Sequence, residues 1–224
     1  MTDIIHVDFG GVRYLYYDTP TIQELVKEIF SDNYKIFERG LTFSPGDVVV
    51  DIGANEGVFA IMLAKMFPDI RVVACEPVPR TFYQLLRNVG LNGVTNIDAY
   101  CSGVGKEDGT IKMVVANEFS GGSSGVQQHY DPEKNKIMDV SVLSLDNFLW
   151  MAGVGRIKLM KMDIEGMEYD ALYGSSALAE VQYFVGEFHT NTFLRDKGAD
   201  VKELATYVGS KTNLVFYETC HMAE

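Results

Sequence analysis

The sequence predicts an α/β protein: a mostly parallel sheet with helices on both faces. Three observations carry this. Short apolar runs, "VVVDIG", "RVVACEP", "NIDAYCSG", "IKLMKMD" and "YFVGEFH", read as strands buried on both sides. Between several of them lie helical stretches, "GVFAIMLAKMF", "PRTFYQLLRNVG" and "MEYDALYGSSALA", and strand-helix alternation of this kind builds parallel sheets. Each apolar run also ends in polar residues, which places the chemistry beyond the carboxyl ends of the strands, where open α/β sheets bind ligands.

Taken in order, residues 4–17, "IIHVDFGGVRYLYY", form two alternating strands joined at Gly10-Gly11, a pair able to supply the positive φ values of a tight hairpin turn. "PTIQELVKEIF" follows as a helix capped by Thr19, with Pro20 in its first turn and Ile22, Leu25, Val26 and Ile29 as its apolar stripe. The aromatic residues Tyr14, Tyr16, Tyr17, Tyr34 and Phe37 are expected to pack this segment onto the core. Residues 1–45 are therefore an N-terminal appendage and 46–224 the core of one domain. Residues 112–140 are too long for an ordinary connection. Residues 112–119 should pair with "IMDVSV" as an antiparallel hairpin, with Ser120 to Tyr130 as a mobile tip and a lid over the substrate.

Bulk properties exclude some functions. A formal charge of -12 argues against a general basic surface for nucleic acid. No apolar run approaches the roughly 20 residues that span a bilayer, so no membrane partner is expected. "MTDIIHVDFGG" has acids where a secretory signal needs basic residues, which points to a cytoplasmic protein. Cys75, Cys101 and Cys220 form no C-x-x-C pair, and Cys75 reads as a small core residue.

The stretch "VVVDIGANEGVF" gives the first functional signal. Asp51-x-Gly53-x-x-x-Gly57 leaves a strand and opens a helix, so backbone can approach a ligand where a Cβ would intrude. Glu76 ends the next strand, where such folds place the acid that accepts hydrogen bonds from ribose hydroxyls. Asn55 replaces the second glycine of the dinucleotide fingerprint. Asp51 and Glu56 would repel a pyrophosphate at this helix terminus but favour a cofactor with ammonium and sulfonium groups, which describes S-adenosylmethionine. Local capping by Asp51 and a simple helix-dipole effect of Glu56 are the plainer alternatives.

"VVVDIGANEGVFAI", "CEPVPRTFYQLLRNVGLNG", "SVLSLDNFL", "IKLMKMDIEGMEYDALYGSSALA" and "VGEFH" together resemble the FkbM family of S-adenosylmethionine-dependent methyltransferases over roughly residues 28–190. "KMDIEGMEYDAL" is the most specific element, similar to that family's K-I-D-V-E-G-x-E signature, and Asp146 in "LDNFL" also fits. The resemblance implies the Rossmann-like class I methyltransferase fold, seven strands with the last antiparallel, and methyl transfer, usually to oxygen. The cofactor set is then Asp51, Gly53, Ala54, Asn55, Gly57, Glu76, Pro77, Ser102 and Asp163.

A hydroxyl acceptor needs a base. "MDIEGME" puts Asp163, Glu165 and Glu168 at one strand end, and "VGEFHT" puts Glu187 and His189 at the next. Each pair two apart shares a strand face if the strand persists. His189 is the expected general base, because its unperturbed pKa lies closest to neutrality; Asp163, Glu165 and Glu187 complete the catalytic set. Glu168 also fits a plain stabilising role in a helix first turn, and His189 that of a backbone-bonded strand-end histidine. Lys158 and Lys161 can simply neutralise nearby acids. The same groups suit a divalent metal, which stays open without being predicted. The expected partner is a small-molecule acceptor, a sugar or natural-product intermediate. A catalytically silent adenosine-binding scaffold is the alternative, and a nicotinamide-dependent oxidoreductase a weaker one.

Overall fold

The computed structural model describes residues 3–116, 133 and 135–222. The chain opens with the expected hairpin, β1 (Ile4–Phe9) and β2 (Val12–Tyr17), antiparallel and closed at Gly10-Gly11. Helix α1 (Ile22–Phe30) starts two residues later than Pro20. Thr19 still serves its entry, accepting from the Ile22 amide at 3.2 Å.

The core then alternates β3 (Val48–Ile52), α2 (Val58–Met66), β4 (Arg71–Cys75), α3 (Pro79–Asn92) and β5 (Ile97–Tyr100). A small sheet interrupts, made of β6 (Gly103–Gly105), β7 (Gly109–Ala116) and β8 (Asn135–Ser144). The alternation resumes with α4 (Leu145–Met151), β9 (Ile157–Met162), α5 (Glu168–Leu172), β10 (Val181–Thr190), α6 (Thr192–Asp196), α7 (Val201–Gly209) and β11 (Asn213–His221).

Across the central sheet the strands run β11-β10-β9-β3-β4-β5, and every pairing is parallel. The order reverses between β3 and β9, so the loops after these two strands diverge and leave a crevice. The α/β class holds; the strand count does not. Six strands, not seven, form this sheet among the described residues, and the expected antiparallel strand is not one of them. β11 takes the edge beside β10 directly, because α7 carries the chain back to the starting end of the sheet and a strand entered that way runs parallel.

Side-chain alternation divides the core. Val50, Met160 and Phe184 face one way, onto α4, α5 and α7 through Phe148, Leu172 and Leu204. Val49, Leu159 and Val185 face the other, onto α2 and the N-terminal segment. Helix α2 is buried from Val58 to Ala64, because the hairpin and α1 cover the side that solvent would otherwise reach. Tyr14, Tyr16 and Phe37 pack there as expected, whereas Tyr17 stays partly exposed with the Arg87 guanidinium 3.8 Å above its ring.

Among the described residues the outer edge of β2 has no strand partner, and α3 supplies hydrogen bonds there with side chains. The Asn88 carboxamide accepts from the Tyr17 amide at 3.1 Å, and Asn92 both accepts from and donates to the Leu15 backbone. Asn88 also donates to the Glu56 carbonyl at 2.9 Å and is fully buried. Asn88→Ala strands these buried backbone groups and is expected to cost about 1–3 kcal/mol, measured by urea unfolding; an unchanged midpoint and slope would refute the bond's role.

Two further expectations change. "MEYDALYGSSALA" is not one helix: α5 stops at Leu172, the chain turns at Gly174, and a 3-10 turn spans Ala177–Glu180. The Asp146 carboxylate anchors the restart, accepting from the amides of Ser176 and Ala177 and from the Ser176 hydroxyl. The hairpin over residues 112–140 is present as β7 against β8, with Lys112 opposite Asp139 and Val114 opposite Ile137. The Ser120–Tyr130 tip lies outside the described residues.

Candidate functional site

Two neighbouring groups of polar side chains occupy the crevice. The first surrounds the loop after β3. Its glycine at 53 is required by the protein itself rather than by a ligand: φ is +77°, and a Cβ would stand 1.9 Å from the Asp163 carbonyl oxygen. The loop therefore presses on the chain leaving β9. At Gly57 an added Cβ would meet Leu85 at 3.0 Å. Ala54 is buried, and its amide donates to the Cys75 carbonyl.

Glu76 is buried with its carboxylate turned into the loop, accepting from the amides of Asn55 at 3.1 Å and Val78 at 2.9 Å. Burial pushes its pKa up to about 7, against the pull of these two amides. Each oxygen keeps a second lone pair for a further donor. Beside it, Gly53, Cys75, Pro77, Gly103, Ile164 and Met167 line a cavity of about 30 Å³ roofed by β7 and β8, room for about one water. Ser102 is buried next to this wall, its hydroxyl donating to the Gly103 carbonyl. The base of the hairpin, through Met113, Val140 and Val142, thus covers this group.

Glu56 faces elsewhere. Its carboxylate accepts from the hydroxyls of Thr19 and Thr21 at 2.7 Å, which binds the N-terminal segment to α2. The expectation that it flanks a cationic cofactor is corrected, because those hydroxyls, not the crevice, satisfy its charge.

The second group joins the ends of β3, β9 and β10. Asp51 and Lys161 are opposite in register, with Asp51 fully buried and Lys161 Nζ 3.5 Å from its Oδ1. Lys161 also lies 3.6 Å from Asp163 Oδ2 and donates to the Gly53 carbonyl at 2.8 Å. Burial opposes the lysine's charge, but Asp51, Asp163, Glu187 and Glu28 outweigh it and hold its pKa above the ordinary value. Burial raises the Asp51 pKa against the pull of Lys161, and among the described residues the Lys161 ion pair is the main partner of its oxygens, neither of which has a hydrogen bond of normal geometry.

Strand alternation does not bring Asp163 and Glu165 together, since β9 ends at Met162. Glu165 instead adopts φ +55°, a left-handed backbone that costs a non-glycine residue about 1–2 kcal/mol. Glu168, 0% exposed, clamps that turn by accepting from the amides of Ile164 and Gly166 at 3.1 Å. The same carboxylate holds His189 Nδ1 at 2.9 Å. Glu168 is therefore more than a helix-terminus charge. His189 and Glu187, by contrast, do share a face of an unbroken strand.

His189 is 4% exposed, with Nε2 3.4 Å from Glu165 Oε2 and 3.9 Å from both Asp163 Oδ1 and Glu187 Oε2. Burial disfavours its charge, yet the bond to Glu168 and the surrounding carboxylates push its pKa up to about 10. A pKa raised in this way opposes the expected role of His189 as general base. Glu165 is pushed up to about 7 by burial and by Asp163.

Four residues join without having been assigned a role in the site. The Tyr34 hydroxyl donates to Glu187 Oε1 at 3.3 Å, and the Cys220 thiol donates to Glu187 Oε2 at 2.9 Å. Glu28 of α1 lies beside Glu187, and burial and that neighbour push its pKa up to about 7. Lys161, expected only to neutralise acids, is an interior cation shared between two of them. A long-range contact such as Glu28 with Glu187 leaves no local trace. Cys220 was reachable only through the β10–β11 register, which sets it beside His189.

No helix among the described residues is long and apolar enough to cross a membrane. The model of the methyltransferase FkbM domain matches residues 51–213. The chain is 28% identical to Methyltransferase 1 of Beauveria bassiana over 203 residues, covering 79% of this chain and 80% of that protein. It is 27% identical to 31-O-demethyl-FK506 methyltransferase FkbM of Streptomyces tacrolimicus over 214 residues, covering 83% and 78%. Among solved structures, precorrin-6y C5,15-methyltransferase from Geobacter metallireducens superposes with a TM-score of 0.43 at 12% identity, covering 75% of this chain and 65% of that one.

Proposed function

The chain belongs to the FkbM methyltransferase family, and from that premise we propose that it transfers the methyl group of S-adenosylmethionine to a hydroxyl oxygen of a small molecule. The observation that carries this reading is the charge of the crevice. Asp51, Asp163, Glu165 and Glu187 gather at the strand ends around Lys161 and His189. Such a surface repels a phosphate and suits a ligand that brings positive charge. The free lone pairs of Glu76 and the apolar cavity beside Pro77 suit a ribose and a flat ring, and a purine needs the base of the β7–β8 hairpin to move outward.

S-adenosylmethionine supplies a methyl carbon already activated by a sulfonium. Glu76 accepts the ribose hydroxyls, with the Asn55 amide fixing its orientation. Asp51 and Asp163 face the cationic end. Gly53, Ala54, Gly57, Pro77 and Ser102 shape the wall between them. Glu187 would take the acceptor hydroxyl's proton as that oxygen receives the methyl group and the sulfonium leaves as a neutral thioether. Its carboxyl partner Glu28 and the donors Tyr34 and Cys220 hold Glu187 in place. The N-terminal segment thereby forms part of the site, and with it residues 1–224 act as one domain. A silent scaffold of the same fold has no use for a strained Glu165, which opposes stability.

Calorimetry with S-adenosylmethionine and its demethylated product tests the reading, and binding of NAD in their place would sink it. Glu76→Ala is expected to weaken cofactor binding by roughly ten- to a hundredfold, the value of about 1.5–3 kcal/mol for a hydrogen bond to a charged group. Because the Glu76 pKa lies near 7 and the hydroxyl donors require the ionised form, affinity should rise between pH 6 and 8 and flatten in Glu76→Gln. Without ligand the sign is opposite: the folded chain holds a proton that the unfolded chain has lost above its ordinary value of 4.5, so Glu76 lowers stability as pH rises from there through 7.

A further inference from the structure

We propose that Asp163, Glu165 and His189 bind a divalent first-row cation through Oδ1, Oε2 and Nε2. The distances are compatible with those of co-ligands. Nε2 stands 3.4 Å from Glu165 Oε2 and 3.9 Å from Asp163 Oδ1, beyond the usual hydrogen-bond length of about 2.9 Å. Ligands about 2.1 Å from one ion lie about 3.4 Å apart at a tetrahedral angle and about 4.2 Å apart when opposite. Each of the three residues offers a ligand atom within 4.8 Å of the others, so the span closes by at most roughly 0.6–1.4 Å on an ion.

The imidazole is prepared for this as an independent matter. His189 is almost wholly interior, and its Nδ1 is taken by Glu168, itself fixed by two backbone amides. A carboxylate behind the ring is the usual way a metal-binding histidine is oriented. Nε2 is then aimed at the carboxylates of Glu165, Asp163 and Glu187. Glu165 reaches it only by holding a left-handed backbone, which the Glu168 clamp enforces. Asp163 divides its oxygens: Oδ2 faces Lys161, and Oδ1 is left for the cluster.

One imidazole and two carboxylates make a borderline-to-hard donor set, suited to Mn²⁺ and to ions near it in the first row. A second grouping of Glu187, His189 and Cys220 is also close enough, but there the thiol carries a proton that it donates to Glu187. An ion at the first grouping would take Nε2 as a ligand and keep coordination positions for water or for an acceptor hydroxyl, whose acidity it would raise. Ion binding does not depend on the methyl-transfer reading.

The test is a Mn²⁺ titration of the EDTA-stripped and desalted protein, without cofactor or acceptor, following the free aqua ion by electron paramagnetic resonance. One site per chain is expected. Glu165→Gln and His189→Ala should each weaken it at least about tenfold, Glu168→Gln about ten- to a hundredfold, and Cys220→Ser not at all. Circular dichroism checks the fold of each variant; should His189→Ala fail to fold, Glu165→Gln decides alone. No stoichiometric site in the wild type, affinity unchanged in Glu165→Gln, or loss of the site in Cys220→Ser would each overturn the proposal. Calorimetric binding of S-adenosylmethionine by the same preparation is scored separately, so a failed methyl-transfer reading is distinguishable from a failed metal site.

Discussion

Glu187→Gln is expected to slow methyl transfer by about 10² to 10⁴ while leaving cofactor affinity nearly unchanged. The amide keeps the shape of the side chain but has no basic oxygen to take the acceptor's proton. Glu187 lies near the end of β10 beside His189, and three side chains from distant parts of the chain surround it. The measurement is incorporation of label from methyl-tritiated S-adenosylmethionine into a panel of hydroxylated small molecules, using whichever acceptor the wild type labels. Full activity in Glu187→Gln would remove the residue from proton transfer and hand the role to another carboxylate. Tyr34→Phe separates chemistry from support, because it removes one donor to Glu187 and should alter the rate by no more than about tenfold, the value of one hydrogen bond.

Gly53→Ala is expected to destabilise the fold by roughly 2–5 kcal/mol. About 1–2 kcal/mol comes from forcing a side chain into left-handed backbone and about 1–3 kcal/mol from overpacking. The overpacking has a named source, since the new methyl group would stand 1.9 Å from the Asp163 carbonyl oxygen. Relief requires the β3 and β9 loops to separate, which also pulls Lys161 away from the Gly53 carbonyl. Gly93→Ala provides the control: φ there is +64°, yet nothing lies within 4 Å of the new carbon, so only the backbone cost applies. Urea unfolding of both variants checks the difference. Equal losses at the two positions would show that the contact with Asp163 yields freely.

The order of strands and helices was legible because each element is specified locally. Buried parallel strands are short apolar runs, and the helices between them carry their own periodicity, so "VVVDIG" and "RVVACEP" needed no partner to be recognised. The hairpin β7–β8 followed from length and alternation in the same way. The edge of the sheet was not legible. A seven-stranded sheet was carried over from the family resemblance, whereas the crossover through α7 sets β11 parallel and directly beside β10. Helix "MEYDALYGSSALA" failed for a related reason: its restart at Ser176 depends on Asp146, thirty residues upstream in sequence.

The sequence by itself determined the fold class, the glycine loop, the position of Glu76 and the gathering of Asp163, Glu165, Glu187 and His189 at the ends of two strands. These follow from local pattern and from the rule that the ends of parallel strands meet on one side of a sheet. Only the tertiary structure decided what those groups are. It turned Glu56 away to Thr19 and Thr21, brought Glu28 and Tyr34 in from the N-terminal segment, and set Glu168 behind His189. Residue type fixes a side chain's ordinary pKa, but its protonation inside a protein depends on burial and on which charges lie within a few ångströms. His189 looked like a base because an isolated imidazole titrates near neutrality; the carboxylates of two strand ends push its pKa up and oppose that role.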